Sequence, residues 1–178
     1  MKNQLQPNEY APYYQPYISL VPEGDIIQIL EEQINETTAL LQGLSDEQAL
    51  LRYAAGKWSV KEVIGHIADT ERIMSFRLLS VARGETAALP GYDDNLYVEN
   101  GKFERQSVIE LLENFAAVRK STLHLLKSLP EEAFLRRGNA NGFEVSARAI
   151  AFIMAGHERH HRKLIEERYL QSDNNRSK

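Results

Sequence analysis

Two histidines near the end of the sequence have the spacing that a metal ion requires from a single helix. His157 and His161 are four residues apart, so on a helix they share one face. Both lie within about 20° of the centre of an apolar stripe, whereas His160 falls about 80° to one side. The stripe consists of Ile150, Ile153, Met154, Leu164 and Ile165. Neutral imidazole nitrogens suit Zn, Ni, Fe or Cu(II). The alternative is a pair of hydrogen-bonded core histidines or a protonated pair facing water. The pattern favours a metal site and this alternative about equally.

A metal site needs a third ligand, and the sequence offers only two histidines outside this segment, His66 and His124. His66 lies at the flank of the apolar stripe of its helix, roughly 100° from the centre, which on its own favours a partly exposed polar residue. In a bundle, however, the flank of one helix meets its neighbours, so His66 could reach a metal held by the opposite helix. Asp69 and Thr70 lie one turn further on the same side, where either could hydrogen-bond with the ligand imidazole or a bound water.

The segment from His157 to His161 also matches the H-E-x-x-H pattern of zinc metalloproteases, with Glu158 in the place of the general base. Those enzymes take a third ligand from further downstream, and only a short segment without histidine follows His161. We therefore expect no protease of this class. Glu158 could still act as a base toward bound water, or be a solvated helix carboxylate. Glu158 and His161 also form the E-x-x-H of di-iron bundles, but Val63 occupies the position where a second such motif needs its Glu.

The elements that must position these residues have the pattern of helices. Ser45, Ser59 and Ser107 each begin a capping box, and apolar residues recur at spacings of three and four. Long helices are predicted from Asp25 to Gly43, from Ser59 to Gly84, from Ser107 to about Ser128 and from Ser146 to about Leu170. We find no convincing strand alternation, only a turn signal from Asn139 to Gly142. The pattern predicts an all-α fold, a four-helix bundle with short extra helical turns.

The chain divides into three segments of different composition. Residues 1–22 contain four of the six prolines and four of the eight tyrosines, which predicts an extended N-terminal arm that packs across the domain. Residues 23–170 are predicted to form the single bundle domain, and residues 171–178 a polar tail.

The longest predicted loop within the domain covers residues 85–105, which are rich in Gly, Asn and Asp. Loops of this length in a compact domain tend to be functional or disordered. Tyr92, Asp93 and Asp94 in this loop could form the rim of a site, although we favour a role in turns and capping.

The composition excludes several classes of function. There is no cysteine, which excludes disulfides, thiolate nucleophiles, Fe–S clusters and cysteine-type zinc sites. The net charge is −4 and no long Lys/Arg block is present, so we expect no nucleic-acid partner. No apolar run approaches the ~20 residues that span a bilayer, and the N-terminus lacks the apolar segment of a signal peptide. We therefore expect a cytoplasmic protein with no membrane partner.

Three motifs together resemble a known family. They are W-S-x-x-E-x-x-x-H from Trp58 to His66, H-x-x-x-H from His157 to His161, and the loop L-P-G-Y-D-D from Leu89 to Asp94. The first two resemble the signature of the DinB-like superfamily, and the loop is similar to that of its YfiT-type subgroup. The resemblance extends from the Tyr/Pro-rich arm to about Leu170.

The resemblance implies a four-helix bundle, often a homodimer, that holds a divalent metal on three histidines. These map to His66, His157 and His161, which leaves His160 and His124 outside the site. Zn or Ni is expected first, with Fe or Mn as alternatives. The implied activity is that of a metal-dependent hydrolase, or of an S-transferase that uses a low-molecular-weight thiol, on a small-molecule substrate.

A non-catalytic helical protein, with a structural or adventitious metal, is the competing interpretation. A fourth protein ligand to the metal would favour this non-catalytic interpretation, whereas an open coordination position would favour an enzyme.

Overall fold

Four long helices form the framework of the protein. The structure, a computed structural model, describes residues 5–170. Its helices and strands are α1 (Gln15–Ile18), α2 (Ile26–Leu41), α3 (Asp46–Ala49), α4 (Val60–Ala82), α5 (Asp94–Gly101), α6 (Val108–Ser128), α7 (Glu131–Phe134), β1 (Arg137–Ala140), β2 (Phe143–Ser146) and α8 (Ala147–Ile165). Single 3-10 turns lie at Pro7–Glu9, Pro12–Tyr14 and Phe103–Arg105, and a π turn at Glu166–Leu170 continues α8. The predicted all-α four-helix bundle, made of α2, α4, α6 and α8, is confirmed.

The long helices begin at the predicted caps. The Ser59 hydroxyl accepts a hydrogen bond from the backbone N–H of Glu62, whose carboxylate accepts one from the backbone N–H of Ser59. Ser107 and Glu110 repeat this arrangement at the start of α6, and Ser146 caps α8. Each such cap satisfies helix N–H groups that would otherwise lack a partner and stabilises the helix by about 1 kcal/mol.

The packing order of the bundle brings α4 beside α8. α4 packs against α6 and α8, and α2 packs against the same two helices, so α2 and α4 lie across the bundle from each other. Two apolar clusters fill the interior. One includes Leu30, Leu78 and Ile150, and the other includes Ile64, Phe115 and Ile165. The contact between α4 and α8 carries the functional residues described below.

The N-terminal arm is anchored to the bundle by a buried ion pair. Arg148 donates from Nε and Nη2 to the Glu9 carboxylate, both at 2.5 Å, and the Ser146 hydroxyl donates to it at 2.7 Å. The prediction of an extended path needs one correction, because the arm includes three single helical turns. Proline is tolerated in the first turn of a helix, and a proline lies there in each of them. The first four residues and the predicted polar tail, residues 171–178, lie outside the described residues.

A β-hairpin replaces the simple turn that the sequence predicted after α7. β1 and β2 pair in antiparallel register, and Asn141 and Gly142 connect them with φ angles of 56° and 81°. Two positive φ values are what a type I′ hairpin turn requires. These two strands were not predicted from the sequence. Each strand has only four residues, and much of β1 and β2 is exposed, so little apolar alternation marks them.

The segment 85–105 is not one open loop. Its second half forms α5 and the turn Phe103–Arg105. The Asp93 carboxylate caps α5 by accepting from two backbone N–H groups. α5 buries a single residue, Val98, so it has no apolar stripe that a helix prediction could use.

Within the described residues, no helix combines the length and the apolar content needed to cross a membrane.

Candidate metal centre

Three imidazoles from two helices converge on one point. His66 projects from α4, and His157 and His161 project from α8. The Nε2 atom of His157 lies 3.0 Å from that of His66 and 3.1 Å from that of His161. One ring nitrogen from each residue lies within 4.8 Å of those of the other two. Within residues 5–170, these three histidines are the only cluster of three or more such ligand groups.

The spacing and the chemistry of these nitrogens fit a divalent metal ion. An ion about 2.0–2.1 Å from each nitrogen, with angles of about 90–110°, requires nitrogen–nitrogen separations of about 2.8–3.4 Å. The lone pairs of neutral imidazoles repel each other at such distances unless they share a proton or a cation. Imidazole is a ligand for Zn, Cu, Fe and Ni. The donor set therefore suits the divalent metal expected from the sequence.

Burial keeps the three imidazoles neutral, which is the state that binds metal. Burial lowers the pKa of His157 and His161 well below the usual value, and neighbouring imidazoles lower it further. Burial also lowers the pKa of His66, to about 4, although the nearby Asp94 carboxylate opposes the shift. His160 is exposed and lies outside the cluster.

Aromatic rings lie on two sides of the histidine cluster. The Trp58 ring lies 4.7 Å from the ring of His66 and 6.4 Å from that of His161. On the other side, the ring of Tyr17 contacts that of His157 edge-on at 5.6 Å. Gly156 permits this approach, because a Cβ there would lie 2.1 Å from the Tyr17 carbonyl oxygen. Neither ring was predicted to lie at the site, because Trp58 was identified only as part of a family motif and Tyr17 only as part of the N-terminal arm.

The predicted rim residues separate into two groups. Asp93 caps α5, as the turn interpretation expected. Tyr92 instead reaches α4, where its hydroxyl lies 2.8 Å from Thr70 Oγ1, and Thr70 Oγ1 lies 3.5 Å from His66 Nδ1. Asp94 Oδ1 lies 3.9 Å from the same Nδ1, and the Asp94 side chain is 50% exposed. Tyr92 and Asp94 therefore lie at the edge of the centre.

Asp69 forms no hydrogen bond with the three clustered histidines. Its carboxylate accepts a hydrogen bond from Arg72 at 3.0 Å. Of the two residues that the sequence offered as partners of the His66 ring, Thr70 lies beside the ring and Asp69 is directed to the surface. This corrects the expectation for Asp69.

The Glu158 side chain points away from the centre into a buried ionic network, and is 1% exposed. Its Oε1 accepts from the Thr37 hydroxyl at 2.6 Å, and its Oε2 accepts from Gln33 at 2.5 Å and from Arg119 at 2.7 Å. Arg119 also donates to the Glu71 carboxylate at 2.8 and 2.6 Å. The structure thus corrects both expectations for Glu158, since the carboxylate is neither directed at the centre nor solvated. The network could not be predicted from the sequence, because an arginine on a helix such as Arg119 usually lies at the surface.

Comparisons with known proteins agree on one family. The family model of the DinB superfamily matches residues 29–165. Two curated relatives are each named "putative metal-dependent hydrolase". The one from Oceanobacillus iheyensis is 23% identical over 135 residues, which cover 74% of this chain and 76% of the relative. The other, YfiT from Bacillus subtilis, is 30% identical over 91 residues, about half of each chain at 51% and 50%.

Solved structures show the shared fold. The structure of YfiT from Bacillus subtilis, a four-helix bundle of unusual topology, aligns with a TM-score of 0.77 at 21% identity over 96% of this chain and 94% of YfiT. A mycothiol-dependent maleylpyruvate isomerase aligns with a TM-score of 0.66 at 12% identity over 82% of this chain and 61% of the isomerase. With the family model matching residues 29–165 and YfiT matching in both sequence and fold, this chain belongs to the DinB superfamily and is of its YfiT type.

Proposed function

We propose that this protein is a metal-dependent enzyme that acts on a small molecule. His66, His157 and His161 hold the divalent ion, with Zn or Ni expected first and Fe or Mn as alternatives. The observation that carries the proposal is the position of His157 Nε2, which lies 3.0 Å from His66 Nε2 and 3.1 Å from His161 Nε2, with one nitrogen of each of the three rings within 4.8 Å of the others. The names of the curated relatives support a metal-dependent hydrolase.

An open coordination position distinguishes an enzyme from a protein with a structural metal. Among the described residues, the cluster contains three histidines and no fourth ligand group, which supports the enzyme. When bound, a divalent ion on three neutral imidazoles supplies a Lewis acid that lowers the pKa of a water or thiol it binds.

The chain's own side chains would shape the space around that position. Trp58 and Tyr17 close two sides with aromatic rings and limit the access of water. The Tyr92 hydroxyl and the Asp94 carboxylate lie on the His66 side, where they could contact a substrate.

Hydrolysis is the first activity to test, because both curated relatives are named hydrolases. Transfer of a low-molecular-weight thiol is the second, because the fold is shared with a mycothiol-dependent enzyme. The two reactions differ in the nucleophile and need the same open position.

The test compares the metal-loaded protein with the same protein after treatment with a chelator. A panel of small esters and amides tests hydrolysis, and an electrophile with bacillithiol, mycothiol or glutathione tests thiol transfer. We expect turnover in one of the two assays, and its loss on chelation and in His157→Ala. His124→Ala is the matched control, because His124 is exposed and lies outside the cluster. Turnover that persists in the chelated protein or in His157→Ala would contradict the proposal. The homodimer and the cytoplasmic location stay predictions.

A further inference from the structure

The outer ring nitrogen of His66 has a different environment from that of His161. While His66 Nε2 faces His157, its Nδ1 faces Thr70 Oγ1 at 3.5 Å and Asp94 Oδ1 at 3.9 Å. The Nδ1 atom of His161 is buried and has no hydrogen-bond partner among residues 5–170. Polar groups therefore lie beside the outer ring nitrogen of His66 and, among residues 5–170, none is hydrogen-bonded to that of His161.

These polar groups are connected in a chain that ends on a carboxylate. Thr70 Oγ1 lies 2.8 Å from the Tyr92 hydroxyl, and the Asp94 side chain lies close enough to that hydroxyl to accept a hydrogen bond from it. The Asp94 side chain is half exposed. The connection therefore runs from a buried ring nitrogen to the surface through two hydroxyl groups.

The carboxylate sets the direction of every hydrogen bond in this chain. An ionised carboxylate only accepts hydrogen bonds, so the Tyr92 O–H donates to Asp94. The Tyr92 oxygen is then free to accept from the Thr70 O–H, and the Thr70 oxygen accepts from an N–H at Nδ1 of His66. Burial raises the pKa of the Tyr92 hydroxyl, so the phenol keeps the proton that this order requires.

We propose that Asp94, Tyr92 and Thr70 form a hydrogen-bond relay that fixes His66 in the Nδ1–H tautomer and leaves its Nε2 lone pair directed at the metal position. The three residues are positioning residues, because they act through His66. Partners of this kind behind a ligand histidine hold the ring orientation and raise its basicity. The proposal rests on the metal site of the proposed function, and it assigns a task to α5, which presents Asp94.

The tautomer can be measured without metal, by 15N NMR of the imidazole nitrogens in the metal-free protein. We expect His66 to carry its proton on Nδ1 in the wild type, and to become a mixture of tautomers in Tyr92→Phe and Asp94→Ala. Tyr97→Phe and Glu99→Ala are matched controls on α5, because both side chains are exposed, and they should match the wild type. Tautomer populations that are equal in the wild type and Tyr92→Phe would overturn the proposal.

Metal affinity supplies a second readout, measured as the dissociation constant for Zn by competition with a chromophoric chelator. We expect Thr70→Val and Tyr92→Phe to weaken binding by about 10–100-fold. Thr70→Ser keeps the hydroxyl and should restore affinity, whereas a purely steric role would leave Ser and Val alike. If the buried Thr70→Val fails to fold, Tyr92→Phe alone decides this readout, and an unchanged affinity in Tyr92→Phe overturns the proposal. If the wild type binds no Zn, the proposed function fails, whereas the tautomer measurement still decides whether the relay exists.

Discussion

The side chains of His157 and Glu158 are consecutive on α8 and enter two separate environments. His157 Nε2 lies 3.0 Å from His66 Nε2, while Glu158 Oε2 lies 2.7 Å from the guanidinium of Arg119. The three-histidine cluster and the buried ionic network therefore both depend on the rotation of α8 about its axis. An H-E-x-x-H pattern here supplies two candidate ligands and one structural carboxylate.

The ionic network should make a large contribution to stability. Arg119→Met leaves the carboxylates of Glu71 and Glu158 without their shared cation, and Arg119 is 1% exposed. Removing one partner of a buried ionic group costs about 3–5 kcal/mol in the free energy of unfolding. Urea denaturation of the variant and the wild type measures this loss.

The matched control for this variant is Arg162→Met. Arg162 pairs with Glu36, which is half exposed, and surface pairs contribute about 0–1 kcal/mol. A loss of stability in Arg119→Met that is no larger than in Arg162→Met would show that the network does not support the fold.

Glu158→Gln should separate the network from the metal centre. The amide loses the ionic contact with Arg119 and lowers stability, but it changes no group that faces the three histidines. We expect metal content equal to that of the wild type at temperatures where the variant is folded, as measured by elemental analysis and circular dichroism. A folded Glu158→Gln protein without metal would restore Glu158 to the centre.

Gly156→Ala should displace the N-terminal arm. Alanine is favoured over glycine in a helix by about 1 kcal/mol, but the added Cβ would lie 2.1 Å from the Tyr17 carbonyl oxygen. Because that oxygen belongs to the backbone, the arm must move, and we expect a net loss of about 1–3 kcal/mol with faster chymotrypsin cleavage at the arm tyrosines. Gly43→Ala is the control, since no atom lies within 4 Å of its Cβ position. Equal cleavage of the two variants would contradict the packing described for the arm.

The anchor of the arm should weaken in acid. Burial raises the pKa of Glu9, but hydrogen bonds from Arg148, Gln6 and Ser146 outweigh burial and hold the pKa below 4.5. A carboxyl group whose pKa is lowered by folding stabilises the protein fully above its unfolded pKa, and this contribution is lost as the pH falls through the folded pKa. Each pKa unit corresponds to about 1.4 kcal/mol.

The measurement is the free energy of unfolding at neutral pH and in acid, for the wild type and Glu9→Gln. The wild type should lose more stability than the variant on acidification, because only the wild type has the Glu9 carboxylate to protonate. An equal loss in both proteins would show that the Glu9–Arg148 pair contributes nothing to the acid response.

Local signals explain why the long helices could be predicted from the sequence. The capping boxes that begin at Ser59 and Ser107 are complete within four residues, and both form as expected. The inward direction of His157 and His161 also follows from one helix, because helical periodicity alone places them on the apolar face. These features need no knowledge of tertiary structure.

The parts that the sequence did not predict depend on contacts between distant residues. α5 has no apolar stripe, and the residues that flank it contact α4, Tyr92 at Thr70 and Phe103 at Gly65. Thr70, and not Asp69, contacts Tyr92 from the segment before α5. Arg119 is buried because carboxylates from two other helices surround it. The sequence of α6 alone does not indicate that this arginine is buried.

Metal analysis of the purified protein tests the central claim, which is that His66, His157 and His161 hold one divalent ion together. The measurement is the metal content per chain of the wild type, His157→Ala and His160→Ala, where His160 is an exposed neighbour outside the cluster. We predict one metal ion per chain in the wild type and in His160→Ala, and none in His157→Ala. One metal ion per chain in His157→Ala, or none in the wild type after loading with Zn and Ni, would contradict the account.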